Sequence, residues 1–196
     1  MVKSNIKETD IIRAKDWSGA VSLDNDLVLT ERINEVPMPT EPLNMNFIMI
    51  GLCTKGEVMY QLDTIKQVIK PGDILVVSDQ HIVDSYQHSD DMKGLCMVMS
   101  VNFFREIIQN VSDVSSLFLF SRLHPVMSLE PEEIKTFKEY FQVIKEKIGD
   151  KRNHFQKDLI KSLLLAMFYD LSNIIYRVQN DITSRSEERV SRNAEN

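Results

Sequence analysis

The distribution of apolar residues divides the chain into a first part with short runs and a second part with helical spacing. Between about residues 21 and 101, runs rich in Val, Ile, Met and Phe are separated by Pro, Gly, Asp and Asn, which is typical of strands joined by turns. The predicted strands are Leu27–Ile33, Met45–Cys53, Glu57–Leu62, Lys66–Ile69, Ile74–Val77 and Leu95–Val101. Their even spacing favours an antiparallel barrel or sandwich, either a meander or a jelly roll.

Turn-forming residues stand between several of these strands. The informative turn sequences are Lys55-Gly56, Asp63-Thr64 and Pro71-Gly72-Asp73. The first two lie where tight turns between neighbouring strands are expected, and the third combines a fixed φ, a free φ and a capping side chain. These turns predict that neighbouring strands run antiparallel.

After the last predicted strand, the apolar positions recur every three or four residues, which is the period of an α-helix. A short helix is predicted over Asn102–Asn110, with Asn102 as its N-cap. A long helix is predicted from Pro131 to Ile148, because Pro favours the first helical turn, and Gly149 is expected to end it.

A second long helix, predicted over Phe155–Val178, has an apolar surface too wide for a single contact. One side should pack within the domain, and the other is expected to meet a second copy of the chain. The predicted dimer interface consists of Leu159, Leu163, Leu164, Met167, Leu171 and Ile174. In the alternative, the preceding helix and the barrel cover the whole apolar surface of this helix.

These patterns predict four parts of the chain. Residues 1–20 form an N-terminal extension, and residues 21–127 form the barrel, with the short helix near 102–110. Residues 128–180 form the dimerisation helices, and the polar residues 181–196 are a linker or a frayed helix end.

The charge and the lengths of the apolar runs exclude several classes of protein. The net charge of −6 is opposite in sign to the surface that binds phosphates, so this chain alone is a poor DNA binder. The longest apolar runs, Phe47–Cys53 and Leu163–Tyr169, are far shorter than the ~20 residues that span a bilayer. The N-terminus lacks the apolar stretch of a secretory signal, so a cytoplasmic location is predicted.

Candidate metal ligands are few. The two cysteines, Cys53 and Cys96, lie within apolar runs and are predicted to be buried reduced thiols. The four histidines have no zinc-like spacing with each other or with the cysteines. His81 lies in the acid-rich segment Asp79–Asp91, whose oxygen and imidazole groups could surround a divalent cation. The favoured interpretation is a solvated loop in which His81 forms a hydrogen bond at the barrel rim, so no metal is predicted.

No catalytic residue is predicted. The chain has neither a glycine-rich phosphate-binding loop nor a Gly-x-Ser-x-Gly nucleophile motif. Glu57 and Asp73 could act as an acid–base pair, but solvated turn residues explain both carboxylates.

Methionines are frequent in the predicted strands, and flexible thioethers suit a cavity that adapts to an apolar guest. Strand alternation should place Met45, Phe47 and Met49 on one side of their strand, and Met97 and Met99 on one side of theirs. The predicted ligand-binding residues are Met45, Phe47, Met49, Met59, His81, Met97 and Met99. In the alternative, these methionines fill the barrel core.

The segments Ile50–Tyr60 and Ile69–Val77, followed by His81, resemble the cupin barrel of the AraC/XylS-type transcription regulators. The shared features are a strand, a glycine turn, a second strand, Pro-Gly-Asp, a third strand and a nearby histidine. The resemblance implies an α+β fold, a cupin-like antiparallel β-barrel (jelly roll) followed by two long α-helices. It also implies that a small-molecule effector binds inside the barrel, that the helices form a homodimer, and that C-terminal helix-turn-helix units bind DNA.

The sequence departs from these relatives in two ways. No helix-turn-helix pattern follows Asn180, so DNA contact is expected only through a domain absent from this chain. The first motif of metal-dependent cupins supplies two histidines and a glutamate, whereas this chain has Cys53, Thr54, Lys55 and Glu57 in that region. The missing ligands argue against a cupin dioxygenase or isomerase, and no cofactor is predicted.

The sequence therefore predicts the ligand-sensing and dimerisation domain of an AraC-type regulator, which is not an enzyme and does not enter membranes. One alternative is a small metal-independent cupin enzyme, and another is a structural interaction module with a filled barrel. A third is a CRP-like effector domain, but the Gly56-Glu57 pair is misplaced for that fold and no arginine lies between Arg32 and Arg105.

Overall fold

Two β-sheets face each other in the computed structural model, which describes residues 7–37, 41–79, 81–109, 111 and 119–194. The strands are β1 (Lys7–Thr9), β2 (Val21–Leu23), β3 (Leu27–Thr30), β4 (Leu43–Met45), β5 (Ile48–Lys55), β6 (Val58–Leu62), β7 (Ile65–Ile69), β8 (Asp73–Val77), β9 (Ile82–His88), β10 (Lys93–Met99) and β11 (Val126–Ser128). Within the described residues, sheet A has the order β1-β4-β9-β6-β7, and sheet B has the order β11-β8-β5-β10-β3-β2.

Every strand pair is antiparallel except β1 with β4, which confirms the antiparallel barrel expected from the strand spacing. The helices are α1 (Ile11–Ala14), α2 (Val101–Ile108), α3 (Pro131–Gly149) and α4 (Gln156–Ala194), and a short 3-10 helix covers Ile33–Glu35. Residues 119–123 are also helical. The α+β class is confirmed, with two long helices after the barrel.

The predicted turns lie between the strands as expected. Gly56 separates β5 from β6 with φ +71°, and an added Cβ there would come within 2.8 Å of the Met92 backbone. Asp63 and Thr64 both have positive φ between β6 and β7. Gly72 has φ +92°, and the carboxylate of the next residue accepts a hydrogen bond from the Lys70 N–H at 2.9 Å.

Several predicted boundaries were wrong. The segment interpreted as a solvated loop contains β9, in which Val83 is buried, while Ser85 and Gln87 are exposed because the outer face of sheet A meets solvent. The short helix begins at Val101, and its N-cap is Ser100, whose hydroxyl accepts a hydrogen bond from the Phe103 N–H. Its predicted end, Asn110, lies outside the described residues.

The long helices also extend further than predicted. Gly149 is the last residue of α3 rather than the residue after it. Helix α4 continues to Ala194 instead of ending at Val178, so the segment predicted to be a linker or a frayed helix end is helical over residues 181–194. The N-terminal extension contains β1 and α1, and α1 is anchored in the barrel by the buried side chains of Ile11 and Ala14.

The chain has two hydrophobic layers on opposite faces of sheet B. One layer lies between the two sheets, inside the barrel. The other lies between sheet B and the helices, where Phe103, Phe141, Ile160 and Phe168 are almost completely buried. Sheet B is therefore covered on both faces.

Helix α4 packs differently from the sequence prediction. Leu164, Met167, Leu171 and Ile174 were assigned to a dimer interface, but all four are buried in the helix-to-sheet layer of a single chain. The segment Gln156–Arg185 is long and apolar enough to cross a membrane by length and composition. Much of its apolar surface already packs on the chain's own core, as in the core helix of a folded domain.

Candidate functional site

A cavity of about 400 Å³ lies inside the barrel between sheets A and B. The barrel residues in its wall are Met45, Phe47, Met49, Tyr60, Leu75, Val77, Val83 and Tyr86. One side is closed by Thr9, Arg13, Asp16 and Trp17 and by Val36, Pro37, Glu41 and Leu43. The volume is within the range of about 300–1,000 Å³ that is usual for small-molecule sites.

A second, smaller cavity of about 70 Å³ adjoins the first. The two cavities share the lining residues Trp17, Val36, Met49, Leu75 and Tyr86. Gly51 leaves open space in the smaller cavity, because an added Cβ would approach no atom closer than 3.8 Å. Trp17 is the chain's single tryptophan, so its fluorescence reports on both cavities.

The structure brings only part of the predicted ligand-binding set to this cavity. Met45, Phe47 and Met49 line it, but they do not share one strand as predicted. Met45 ends β4 in sheet A, Phe47 lies between the strands, and Met49 belongs to β5 in sheet B. Met59 points outward from sheet A and is 52% exposed. Met97 and Met99 share one side of β10, but that side faces the helices, where both are fully buried.

His81 does not line the cavity and is not in a solvated loop. It is buried before β9, where its Nδ1 lies 3.1 Å from the Ser78 nitrogen and 3.2 Å from the Ser78 Oγ. Its Nε2 lies 3.5 Å from a carboxylate oxygen of Asp63, whose other oxygen accepts a hydrogen bond from the Ile82 N–H at 2.8 Å. His81 therefore fixes the β6–β7 turn against the start of β9.

Sequence reasoning missed the aromatic and N-terminal part of the wall. Tyr60 and Tyr86 stand opposite each other in the pairing of β6 with β9. Tyr60 belongs to a predicted strand, but β9 was not predicted, so no pattern indicated the pair. Trp17 was also missed, because the N-terminal segment contacts the barrel through residues distant in sequence.

Tyr60 is the main polar feature of the inner wall. Its side chain is 4% exposed, and its hydroxyl has no hydrogen-bond partner within the part of the chain that the structure describes. Burial raises the pKa of Tyr60 well above its ordinary value, so the phenol is neutral and keeps its proton. Burial likewise raises the pKa of Tyr86.

The charged residues of the wall lie at its N-terminal side. Arg13, Asp16 and Glu41 are all exposed there. The described inner part of the wall presents apolar side chains, among them Phe47 and Val83, around the phenols of Tyr60 and Tyr86. The described residues contain no cluster of three or more His, Cys, Asp or Glu that could hold a metal ion.

A family model of the AraC-like ligand binding domain matches residues 44–168, which is more than half of the chain. The matched span begins in β4 and ends in α4. It therefore includes most of the barrel wall and much of the helical layer. No curated protein sequence matches the chain significantly.

Similar solved structures include AraC-like regulators and cupins. The AraC-like transcriptional activator CuxR is 10% identical over 77% of this chain and 49% of its own, with a TM-score of 0.44. Unsaturated fatty acid-bound ToxT from Vibrio cholerae is 10% identical over 83% of this chain and 57% of its own, with a TM-score of 0.46. A cupin barrel protein from Leptotrichia buccalis is 15% identical over 42% of this chain and 39% of its own, with a TM-score of 0.33.

The chain therefore spans about half, or less, of the length of these solved proteins. The matched span contains the glycine turn at Gly56 and the capped turn at Gly72. Since that match covers most of the barrel and much of the helical layer, this chain belongs to the AraC-like ligand-binding domain family.

Proposed function

We propose that this chain is the ligand-sensing part of a transcription regulator and that it binds a small-molecule effector in the 400 Å³ cavity. The observation that carries the proposal is the position of this cavity. It lies on one face of sheet B, and the helices pack on the other face of the same sheet. A ligand that prefers one arrangement of the sheet therefore shifts the helices as well.

We propose that the helices transmit this shift to a second copy of the chain. The outer face of α4 leaves several apolar side chains exposed, among them Tyr169 and Tyr176, with Phe155 just before the helix. These three residues are separated by multiples of seven, and Ser162 completes the same line. Such spacing suits the contact line of two paired helices.

The proposed interface replaces most of the one predicted from the sequence. Leu159 and Leu163 remain partly exposed and can contribute to it. Leu164 and the other buried residues of α4 cannot contribute, because they already pack against the core of their own chain. DNA binding is assigned to a further domain, since the chain itself carries a net charge of −6.

We further propose that the barrel senses its ligand without a metal and without catalysis, in the cytoplasm. The described cavity wall pairs no nucleophile with a base, and its carboxylates, Asp16 and Glu41, lie at the exposed N-terminal side. Cys53 and Cys96 lie beside the smaller cavity, and burial raises the pKa of both thiols, which disfavours reactive thiolates.

Blocking the cavity tests the proposal. Prodan, a neutral propionyl-dimethylaminonaphthalene whose emission shifts in apolar surroundings, is titrated into the wild type and two variants. Met49→Trp fills the cavity wall and should weaken Prodan binding at least about tenfold. Met59→Trp makes the same substitution on the exposed face of sheet A and should leave binding unchanged. Equal binding by all three proteins would contradict a site in the barrel.

A further inference from the structure

We infer that the effector is an uncharged, largely apolar molecule that presents one hydrogen-bond acceptor to the Tyr60 hydroxyl. This inference rests on the proposed function and specifies its ligand class. It distinguishes a neutral carbonyl, ether or similar acceptor from a carboxylate or an ammonium group.

The first argument is the unpaired phenol. Tyr60 lines the cavity and is 4% exposed, and its hydroxyl has no partner among the described residues. A buried hydroxyl without a partner is unfavourable, and such groups are rare in folded proteins. Because desolvation raises its pKa, the phenol keeps its proton and acts as a donor. The hydroxyl oxygen has almost no accessible surface in the free protein, so an acceptor on the ligand would satisfy this donor after a small movement of the neighbouring wall.

The second argument is the chemistry around Tyr60. Met45, Phe47, Val77 and Val83 supply apolar surface in the same wall. No lysine or arginine of the described chain lines this inner part, so a carboxylate placed beside Tyr60 would be desolvated without a counter-ion. An ammonium group offers only donors and cannot accept a hydrogen bond from the phenol.

The third argument is the charge at the N-terminal side of the wall. Among the described residues, Arg13, Asp16 and Glu41 are the charged groups of that side. All three groups are exposed, so water screens them. Arg13 therefore offers an anionic ligand little attraction to offset its desolvation.

The Tyr60→Phe variant separates binding from folding. Because the hydroxyl has no partner in the described chain, its removal should leave the melting temperature of the free protein unchanged or raise it. The same change should weaken binding of the ketone Prodan about tenfold, the effect of one lost buried hydrogen bond. Tyr140→Phe is the matched control, since the Tyr140 hydroxyl donates to Asp170 at 2.8 Å outside the barrel. That control should lower the melting temperature and leave Prodan affinity unchanged.

Three related probes test the ligand class, with quenching of Trp17 fluorescence as the common readout. They are Prodan, its propyl analogue without the carbonyl oxygen, and the corresponding naphthoate anion. The wild type should bind Prodan most tightly, and Tyr60→Phe should bind Prodan and the propyl analogue equally.

The outcomes separate this inference from the proposed function. A Tyr60→Phe variant that keeps the wild-type preference for Prodan would overturn the role of the phenol, with the cavity still a binding site. Tighter binding of the naphthoate than of Prodan would overturn the neutral ligand class. Failure of all three probes to quench Trp17 would count against both the inference and the cavity proposed to bind effectors.

Discussion

Leu75 and Val76 are consecutive residues of β8, yet Leu75 lines the cavity whereas Val76 is buried beneath the helices. The neighbouring strand β5 repeats this division, since Met49 faces the cavity and Ile50 faces the helices. Backbone pairing joins the two strands at Ile50 with Val76 and at Gly51 with Leu75. A single layer of backbone therefore separates the cavity from the helical surface.

Ligand binding should consequently protect the helices as well as the barrel from hydrogen exchange. At a hundred times its Kd, Prodan should add about 2.7 kcal/mol to the free energy of unfolding, which slows globally exchanging amides about a hundredfold. We expect this protection in β5, β8 and α4, measured by hydrogen exchange and mass spectrometry. Met49→Trp should show none of it. Protection confined to the two sheets would contradict coupling to the helices.

Charges placed on the outer face of α4 should separate a dimer. Tyr169→Glu combined with Tyr176→Glu should lower the association constant of the dimer at least about tenfold, because unpaired charges would be buried between the two helices. Sedimentation velocity at micromolar concentration measures the change. The control pair, Ile65→Glu with Val68→Glu, introduces the same charges at exposed apolar positions of β7. Dimers that survive the first pair would exclude this face.

Two glycines on paired strands should respond oppositely to alanine. A Cβ on Gly94 would lie 2.4 Å from the Leu52 carbonyl oxygen, so Gly94→Ala should lower the free energy of unfolding by about 1–3 kcal/mol. A Cβ on Gly51 meets only ordinary contacts, so Gly51→Ala should change stability little or raise it by up to ~1 kcal/mol. Urea denaturation of both variants measures the difference. Equal losses would contradict this interpretation of the two sites.

Local signals explain why much of the fold could be predicted from sequence. Pro131 begins α3 as predicted, because a proline at the first helical turn loses no hydrogen bond. Gly56 and Gly72 adopt the positive φ that their turns require. Each of these features depends on a few adjacent residues, and each agrees with the global fold.

Strand β9 was missed for a physical reason. Its inner positions include Val83 and Tyr86, but Ser85 and Gln87 are exposed, and with Asp84 and His88 they resemble loop residues in the sequence. Sheet A is covered on one face only, so its strands need few apolar residues. Tyr86 and its partner Tyr60 were therefore absent from the predicted site.

Alternation could group residues but could not orient the groups. Met97 and Met99 were correctly placed on one side of a strand, but both faces of sheet B are buried. Nothing in a strand buried on both faces tells which side meets the cavity and which meets the helices. The same ambiguity explains α4, where Leu164 belongs to the chain's own core and Tyr176 is exposed.

The buried thiols should make stability depend on alkaline pH. Burial raises the pKa of Cys96 from 9.0 to about 12, and it raises the pKa of Cys53 in the same direction. Unfolded thiols ionise above pH 9, whereas folded Cys96 keeps its proton until about pH 12. The folded state therefore holds more protons in this window, and its stability is complete below pH 9 and falls above it.

For Cys96 alone, the free energy of unfolding should fall by about 1.4 kcal/mol per pH unit between pH 9 and pH 12. Urea denaturation between pH 8 and pH 10.5 measures this slope, with other titrating groups adding a common background. Cys96→Ala should have a smaller slope than the wild type, whatever its stability at neutral pH. Cys96 is also buried too deeply to react readily with an aromatic disulfide reagent in the folded protein. A wild-type slope in Cys96→Ala, or fast labelling of the native thiol, would contradict this account of the barrel interior.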